Sequence, residues 1–139
     1  STCFGAPFLP LEPGVYASLL GEKIQTHGVQ VWLINTGWSG GAFGTGSRIR
    51  LPYTRSMIRA ALTGQLDYTS FQTEDYFGLS IPRSCPGVPP EILSPVNTWQ
   101  NRSDYDVLAR SLIERFTENF EQFRSNVSHQ IMDAAPVVH

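Results

Sequence analysis

The chain has 139 residues, of which 41% are hydrophobic and 16% are charged, and its formal net charge is −2. This length fits one domain or part of a larger one, and the apolar content is enough for a core. A net charge so close to zero provides no global basic field to recruit nucleic acid or an anionic membrane. No apolar stretch approaches the ~20 residues that a transmembrane helix needs, so we expect neither nucleic acid nor membrane as a partner.

The two cysteines, Cys3 and Cys85, lie far apart and form no CxxC motif and no cluster with histidine. They could form one disulfide, but a reduced, cytoplasmic protein is the simpler interpretation. The first residues also lack the basic region and apolar run of a secretory signal. The sequence shows no metal-ligand cluster, no paired carboxylates and no Ser/His/Asp constellation. If the chain belongs to an enzyme, we expect most of the catalytic machinery to lie elsewhere.

The first third of the chain predicts a helix, a buried strand and a glycine-rich loop, in that order. Pro13 suits the first turn of a helix, and Gly28 is a typical helix stop. Residues 29–34 form a nearly continuous apolar run, which indicates a strand covered on both faces. The glycine loop (residues 35–50) follows and contains five glycines. A helix followed by a buried strand favours an α/β fold, in which ligands usually bind at the carboxyl ends of strands.

Two elements are predicted directly after the glycine loop. Ile49, Leu51 and Tyr53 alternate with Arg48, Arg50 and Pro52, which indicates a short strand. Thr54 is a suitable N-cap for a short helix that ends before Gly64.

The second half of the chain is dominated by one long helix. Residues 76–81 are a weaker strand candidate, and residues 82–99 contain five of the ten prolines, which predicts an irregular segment. Ser103 and Asp106 resemble a capping box at the start of a helix of about five turns. Its predicted apolar stripe consists of Leu108, Leu112, Ile113, Phe116, Phe120 and Phe123.

The glycine loop fails both of the common phosphate-binding patterns. Ser47 stands where a P-loop requires lysine, and Ile49 stands where a dinucleotide fingerprint has its third glycine. Arginines cluster after the glycines, either as a solvated face or as a local nucleotide site: Arg48, Arg50, Arg55 and Arg59. Arg48 is the best candidate for a ligand contact, because a guanidinium can pair with phosphate oxygens or stack on a base.

Several blocks, in order along residues 1–123, resemble the ATP-dependent phosphoenolpyruvate carboxykinases. The blocks are Ser1-Thr2-Cys3-Phe4-Gly5-Ala6-Pro7-Phe8, Asn35-Thr36-Gly37-Trp38-Ser39-Gly40-Gly41, Gly46-Ser47-Arg48-Ile49, Tyr53-Thr54-Arg55, Pro82-Arg83-Ser84-Cys85-Pro86-Gly87-Val88-Pro89 and Asn97-Thr98-Trp99. The resemblance is to about the last quarter of the family's sequence. It implies part of the C-terminal nucleotide-binding domain of a two-domain α/β fold, with a mixed sheet and flanking helices. Residues 1–124 would belong to that domain, and residues 125–139 would be a frayed tail.

The resemblance also implies an activity and three site residues. The family is a cytoplasmic, gluconeogenic lyase that converts oxaloacetate and ATP to phosphoenolpyruvate, ADP and CO₂ with Mg²⁺ and Mn²⁺. Its P-loop, metal ligands and oxaloacetate-binding arginine precede this segment, so no catalytic or metal-binding residue is assigned here. Arg48, Ile49 and Thr54 match family residues that contact ATP around the adenine and ribose.

Two functions therefore stay open from the sequence. The first is a segment of a carboxykinase that supplies the adenine and ribose side of the ATP site, depends on the remainder of the same polypeptide and is inactive alone. The alternative is a non-catalytic nucleotide-binding or interaction module derived from the same segment.

Overall fold

The structure, a computed structural model, describes residues 8–136, and these fall into two units. Unit 1 consists of residues 8–31 and 115–135, and unit 2 consists of residues 32–114 and Pro136. The first sequence block, apart from Phe8, and the last three residues lie outside the described part. Within the described part, no helix has the length and apolar character that crossing a bilayer requires.

Helices and small antiparallel sheets follow one another along the chain, a mixture that is consistent with a fragment of an α/β fold. The helices are α1 (Pro13–His27), α2 (Leu51–Leu62), α3 (Pro90–Leu93), α4 (Arg102–Glu121) and α5 (His129–Asp133), with 3₁₀ turns at Gln65–Tyr68, Pro95–Thr98 and Arg124–Asn126. The strands are β1 (Trp38–Ser39), β2 (Ser47–Arg48), β3 (Phe71–Thr73) and β4 (Ser80–Pro82). Strand β1 pairs with β2, and β3 pairs with β4.

The limits of α1 confirm the sequence prediction at both ends. Pro13 is the first helical residue, where its missing N–H leaves no hydrogen bond unmade. Gly28 adopts a left-handed conformation with φ 59°, and its N–H donates to the Ile24 carbonyl at 2.9 Å. Local backbone chemistry is therefore sufficient to define this helix.

The buried strand predicted at residues 29–34 is wrong. These residues form no strand, and Leu33 is 79% exposed. Trp32 is half-buried and packs against the core of unit 2, with its ring 6.1 Å from that of Phe71. An apolar run becomes a doubly covered strand only when neighbouring strands flank it. Within residues 8–136, no strand pairs with this run.

Helix α2 begins four residues earlier than predicted, which removes the strand proposed for residues 49–53. Arg50 is the residue at the N-cap, and Pro52 occupies the second helical position, where a missing N–H is tolerated. Thr54 is consequently the fourth residue of the helix and not its N-cap. Burial explains the earlier start. A helix that already includes Tyr53 presents this residue together with Met57 and Ala60 on the face that meets the core.

The core of unit 2 lies between α2 and the segment that follows β4. Its buried members are Ala60, Leu66, Cys85 and Val88. Burial also raises the pKa of the Cys85 thiol. The segment of residues 82–99, predicted to be irregular, is irregular over only about half of its length, because it includes the short helix α3 and one 3₁₀ turn.

Helix α4 confirms the predicted five-turn helix but buries a different face. Its buried residues are Tyr105, Ala109 and Ile113, spaced four apart. The predicted stripe is wrong in part, because Leu108, Leu112 and Phe116 are exposed while Ile113 is 1% exposed. Aromatic packing selects the observed face: the Tyr105 ring lies 5.7 Å from both the Tyr76 and the Trp99 rings.

One further sequence expectation needs adjustment. The strand proposed at residues 76–81 is shorter and later, since β4 starts at Ser80 and the chain turns at Gly78 with φ 65°. The carboxylate of Glu74 holds that turn by accepting the N–H groups of Tyr76 and Phe77 at 3.0 and 2.6 Å.

Candidate functional site

The glycine loop folds as a hairpin whose base is fixed by an asparagine. The Gly37 N–H donates to Asn35 Oδ1 at 2.9 Å, and Asn35 Nδ2 donates to the Trp38 carbonyl at 3.1 Å. Strand β1 then pairs antiparallel with β2, with Trp38 opposite Arg48 and Ser39 opposite Ser47. The Ile49 N–H donates to the Gly37 carbonyl at 2.9 Å and closes the base. The hairpin thus places Arg48 and Ile49 on one short, hydrogen-bonded limb.

Two amides at the tip of the hairpin form hydrogen bonds within the turn. The N–H groups of Thr45 and Gly46 both donate to the Ala42 carbonyl, at 3.0 and 2.9 Å. The Trp38 and Phe43 rings meet edge to face with centroids 5.3 Å apart. Amides that are already bonded within a turn do not converge on an anion, which agrees with the rejection of a phosphate cradle from Ser47.

The Arg48 side chain is exposed, and in residues 8–136 its guanidinium makes no hydrogen bond or ion pair. Its neighbour Arg50 differs, because that guanidinium lies over the Tyr53 ring, 5.6 Å from the centroid. A cation–π contact of this kind holds one arginine against the protein. Of these two cations near the start of α2, Arg48 is the one available to a ligand.

Thr54 lies in the first turn of α2 and is 8% exposed. A helical threonine commonly donates its hydroxyl to the carbonyl four residues earlier, as Thr63 does to Arg59 at 2.8 Å. The Thr54 hydroxyl makes no such bond, nor any other with the described residues. It therefore keeps its hydrogen-bonding capacity.

The chain between the three candidate residues is short and turns directly from strand to helix. Strand β2 ends at Arg48, and α2 starts at Leu51. What relates Arg48, Ile49 and Thr54 is this continuous stretch of backbone. The first turn of α2 contains no acidic residue, so its positive dipole end and the nearby arginines favour an anionic or electron-rich ligand.

Unit 2 also contains an open cleft of about 240 Å³, and none of the three candidate residues lines it. Some of its polar groups contact one another. The Tyr105 hydroxyl donates to Glu74 Oε1 at 3.2 Å, and Arg102 lies 3.8 Å from Asp75 and 3.9 Å from Asp106. Burial, with the Glu74 carboxylate beside the hydroxyl, raises the pKa of Tyr105. These contacts connect the β3–β4 turn to α4, which indicates a structural role for this cleft.

The described residues contain no group of three His, Cys, Asp or Glu side chains arranged to hold a metal ion. The set of donors in residues 8–136 therefore does not fit the Mg²⁺ and Mn²⁺ that the resemblance implies. We assign no ligand to either ion.

Sequence reasoning missed two residues that support the hairpin, Ser39 and Thr98. The Ser39 hydroxyl donates to Thr98 Oγ1 at 2.9 Å, although the two residues are 59 positions apart. Gly40 was a partial signal, because a glycine beside a turn suggests a close backbone approach. Nothing in its sequence neighbourhood identifies the segment that approaches.

Comparison with known proteins identifies the family. The family model described as phosphoenolpyruvate carboxykinase matches residues 1–91. The protein named phosphoenolpyruvate carboxykinase (ATP) from Caldanaerobacter subterraneus subsp. tengcongensis is 56% identical over 136 residues, which cover 98% of this chain and 26% of that protein. Phosphoenolpyruvate carboxykinase (ATP) 2 from Moorella thermoacetica is 55% identical over 138 residues, which cover 99% of this chain and 26% of that protein.

A third relative, phosphoenolpyruvate carboxykinase (ATP) from Geobacter metallireducens, is 56% identical over 128 residues, which cover 92% of this chain and 24% of that protein. The chain thus spans about a quarter of the length of the curated relatives it matches. The family predicted from the sequence blocks is confirmed: the chain belongs to the ATP-dependent phosphoenolpyruvate carboxykinase family.

Proposed function

We propose that this chain supplies the adenine and ribose side of the ATP site of a cytoplasmic, gluconeogenic carboxykinase. The complete enzyme would convert oxaloacetate and ATP to phosphoenolpyruvate, ADP and CO₂. Residues 1–124 would form part of its C-terminal nucleotide-binding domain, and residues 125–139 would be the tail. The observation that carries the proposal is the unpaired, exposed guanidinium of Arg48 on the glycine hairpin of a chain from this family.

Arg48, Ile49 and Thr54 would each contribute a different contact. The planar guanidinium of Arg48 can stack on a base or donate to ribose and phosphate oxygens. Ile49 is half-buried and offers an apolar surface beside it, while the Thr54 hydroxyl has a free donor and acceptor. Together they would bind and orient the nucleoside.

The chemistry of phosphoryl transfer would take place at the other end of the nucleotide. In such reactions catalysis depends mainly on positioning and on charge stabilisation around the transferred phosphoryl group. ATP supplies that group, and residues 8–136 offer neither a P-loop nor metal ligands to act on it. We therefore expect the chain alone to show no turnover of oxaloacetate.

The proposal can be tested in a chimera, in which residues 1–139 replace the matching segment of the Caldanaerobacter carboxykinase. Replacement of Arg48 by Ala should raise the KM for ATP roughly 10- to 100-fold, because a hydrogen bond from a charged group contributes roughly 1.5–3 kcal/mol. The kcat should change little, since an interaction made equally before and during reaction affects KM alone.

Arg59→Ala is the matched control in this chimera. Arg59 is an exposed arginine at the opposite end of α2, so its removal should leave the KM for ATP unchanged. Equal KM values for the Arg48→Ala variant and the parent chimera would remove Arg48 from the site. A parent chimera without ATP-dependent decarboxylation would contradict the proposed function itself.

The alternative, a non-catalytic nucleotide-binding or interaction module, makes a different prediction for the same proteins. The isolated chain would then bind ATP in calorimetry and unfold cooperatively, while the chimera would show no turnover. Turnover by the chimera, with no turnover by the isolated chain, would favour the hypothesis that the chain is a segment of the enzyme.

A further inference from the structure

The hydroxyl of Thr98 acts as both hydrogen-bond acceptor and donor beside strand β1 of the glycine hairpin. It accepts a hydrogen bond from the Ser39 hydroxyl at 2.9 Å and donates one to the Pro95 carbonyl at 2.7 Å. A hydroxyl has a single proton to donate, so each bond has its own role. The first bond attaches β1 of the hairpin to Thr98, and the second fixes the orientation of the Thr98 side chain.

The backbone of the hairpin also approaches Thr98. A Cβ atom built on Gly40 would lie 2.8 Å from the Thr98 carbonyl oxygen. Adjacent residues of the hairpin, Ser39 and Gly40, therefore meet the same residue through a side chain and through the main chain. Two contacts of different kind restrict the rotation of the hairpin as well as its position.

Thr98 is itself supported by the packed part of unit 2. It ends the 3₁₀ turn Pro95–Thr98, in which the Asn97 N–H donates to the Ser94 carbonyl at 3.0 Å. The next residue, Trp99, packs its ring against buried Tyr105 of α4. The hairpin is thus connected through Thr98 to the long helix.

We propose that Thr98 is a positioning residue for nucleotide binding: it holds the hairpin so that Arg48 and Ile49 keep the orientation that the nucleoside requires. The pairing of Ser39 with Ser47 transmits the constraint to β2, where Arg48 follows directly. This inference rests on the proposed function, because it assigns Thr98 a task in the same ATP site. Thr98 itself would touch neither the nucleotide nor the reacting atoms.

The first measurement needs no nucleotide. In the 139-residue chain, hydrogen exchange reports how often the hairpin opens, and the amides of Gly46 and Ile49 are its internal reporters. Thr98→Val keeps the shape of the side chain but removes both hydrogen bonds. We expect about tenfold faster exchange at these two amides, the change that 1.4 kcal/mol produces, and little change in Thr98→Ser, which retains the hydroxyl.

The second measurement uses the chimera described above. Thr98→Val should raise the KM for ATP about tenfold with little change in kcat, and Thr98→Ser should restore the parent value. Adenosine should inhibit the Thr98→Val variant about tenfold less well, whereas inhibition by tripolyphosphate should not change, because the hairpin holds the nucleoside end. Thr63→Val is the control, since it removes a threonine hydroxyl bond of 2.8 Å from the far end of α2.

The outcomes separate this inference from the proposed function. Unchanged exchange at Gly46 and Ile49 in Thr98→Val would overturn the positioning role. So would faster exchange with an unchanged KM, or an equal loss of adenosine and tripolyphosphate inhibition, which would indicate a general structural defect. An inactive parent chimera counts only against the proposed function, because the exchange experiment still decides whether Thr98 holds the hairpin.

Discussion

Replacing Gly40 by alanine tests the close approach between the hairpin and Thr98 most directly. Gly40 has a φ of 79°, in the left-handed region, and its new Cβ would lie 2.8 Å from a backbone oxygen. The conformation alone costs a non-glycine residue roughly 1–2 kcal/mol. The contact is too short for a carbon and an oxygen, so the backbone must shift, at a further cost of roughly 1–3 kcal/mol. We expect a total loss of about 2–5 kcal/mol in the free energy of unfolding.

Two other glycines provide matched controls for the same chemical change. Gly44 has a φ of 93° but nothing within 4 Å of its built Cβ, so Gly44→Ala isolates the conformational cost of about 1–2 kcal/mol. Gly21 lies inside α1 with open space around it, and Gly21→Ala should stabilise the helix by about 0.5–1 kcal/mol. Urea unfolding of the 139-residue chain, followed by tryptophan fluorescence, would measure all three. If Gly40→Ala costs no more than Gly44→Ala, the close approach of Thr98 is not present in solution.

Two further predictions concern α4. Ile113→Ala should destabilise the chain by about 2–4 kcal/mol because it opens a cavity at a residue that is 1% exposed. Leu108→Ala, at a half-exposed position, should cost about 1 kcal/mol or less. Equal losses of unfolding free energy in urea would contradict the assigned buried face of α4. Because the pKa of Tyr105 is raised, the folded state retains the phenol proton that the unfolded chain loses above about pH 10. The contribution of Tyr105 to the free energy of unfolding is therefore complete below that pH and decreases above it. Tyr105→Phe should lose about 1–2 kcal/mol at neutral pH by leaving Glu74 Oε1 without this donor and should show a shallower fall between pH 9 and 11 (roughly one tyrosine's titration range); parallel pH profiles for the two proteins would count against a raised pKa.

The helices that the sequence predicted correctly are those whose limits are set by adjacent residues. Pro13 and Gly28 define α1 through local backbone requirements, and neither depends on a distant contact. The blocks that resemble the carboxykinase family, such as the one around Trp38, also identify the family without any structure. Helix limits that depend on adjacent residues, and the family that the sequence blocks identify, can both be predicted from the sequence alone.

The predictions that failed depended on contacts between distant residues. The N-cap moved from Thr54 to Arg50 because the face with Tyr53 and Met57 packs on the core. The buried face of α4 is set by the rings of Tyr76 and Trp99, and no periodicity in α4 shows which apolar face they will select. The three candidate ATP residues stay a prediction, since the structure describes their exposure and hydrogen bonds but contains no nucleotide.

Residues 29–34 affect how the isolated 139-residue chain behaves in the unfolding and hydrogen-exchange experiments. Val29, Val31 and Leu33 are exposed, and the backbone of this run joins no ladder in residues 8–136. An unpaired, β-branched apolar segment is a template on which a second chain can add a strand. We therefore expect self-association that increases with protein concentration, and association of this kind shifts apparent stability by mass action. Unfolding and binding measurements on different variants are comparable only at one fixed, low protein concentration.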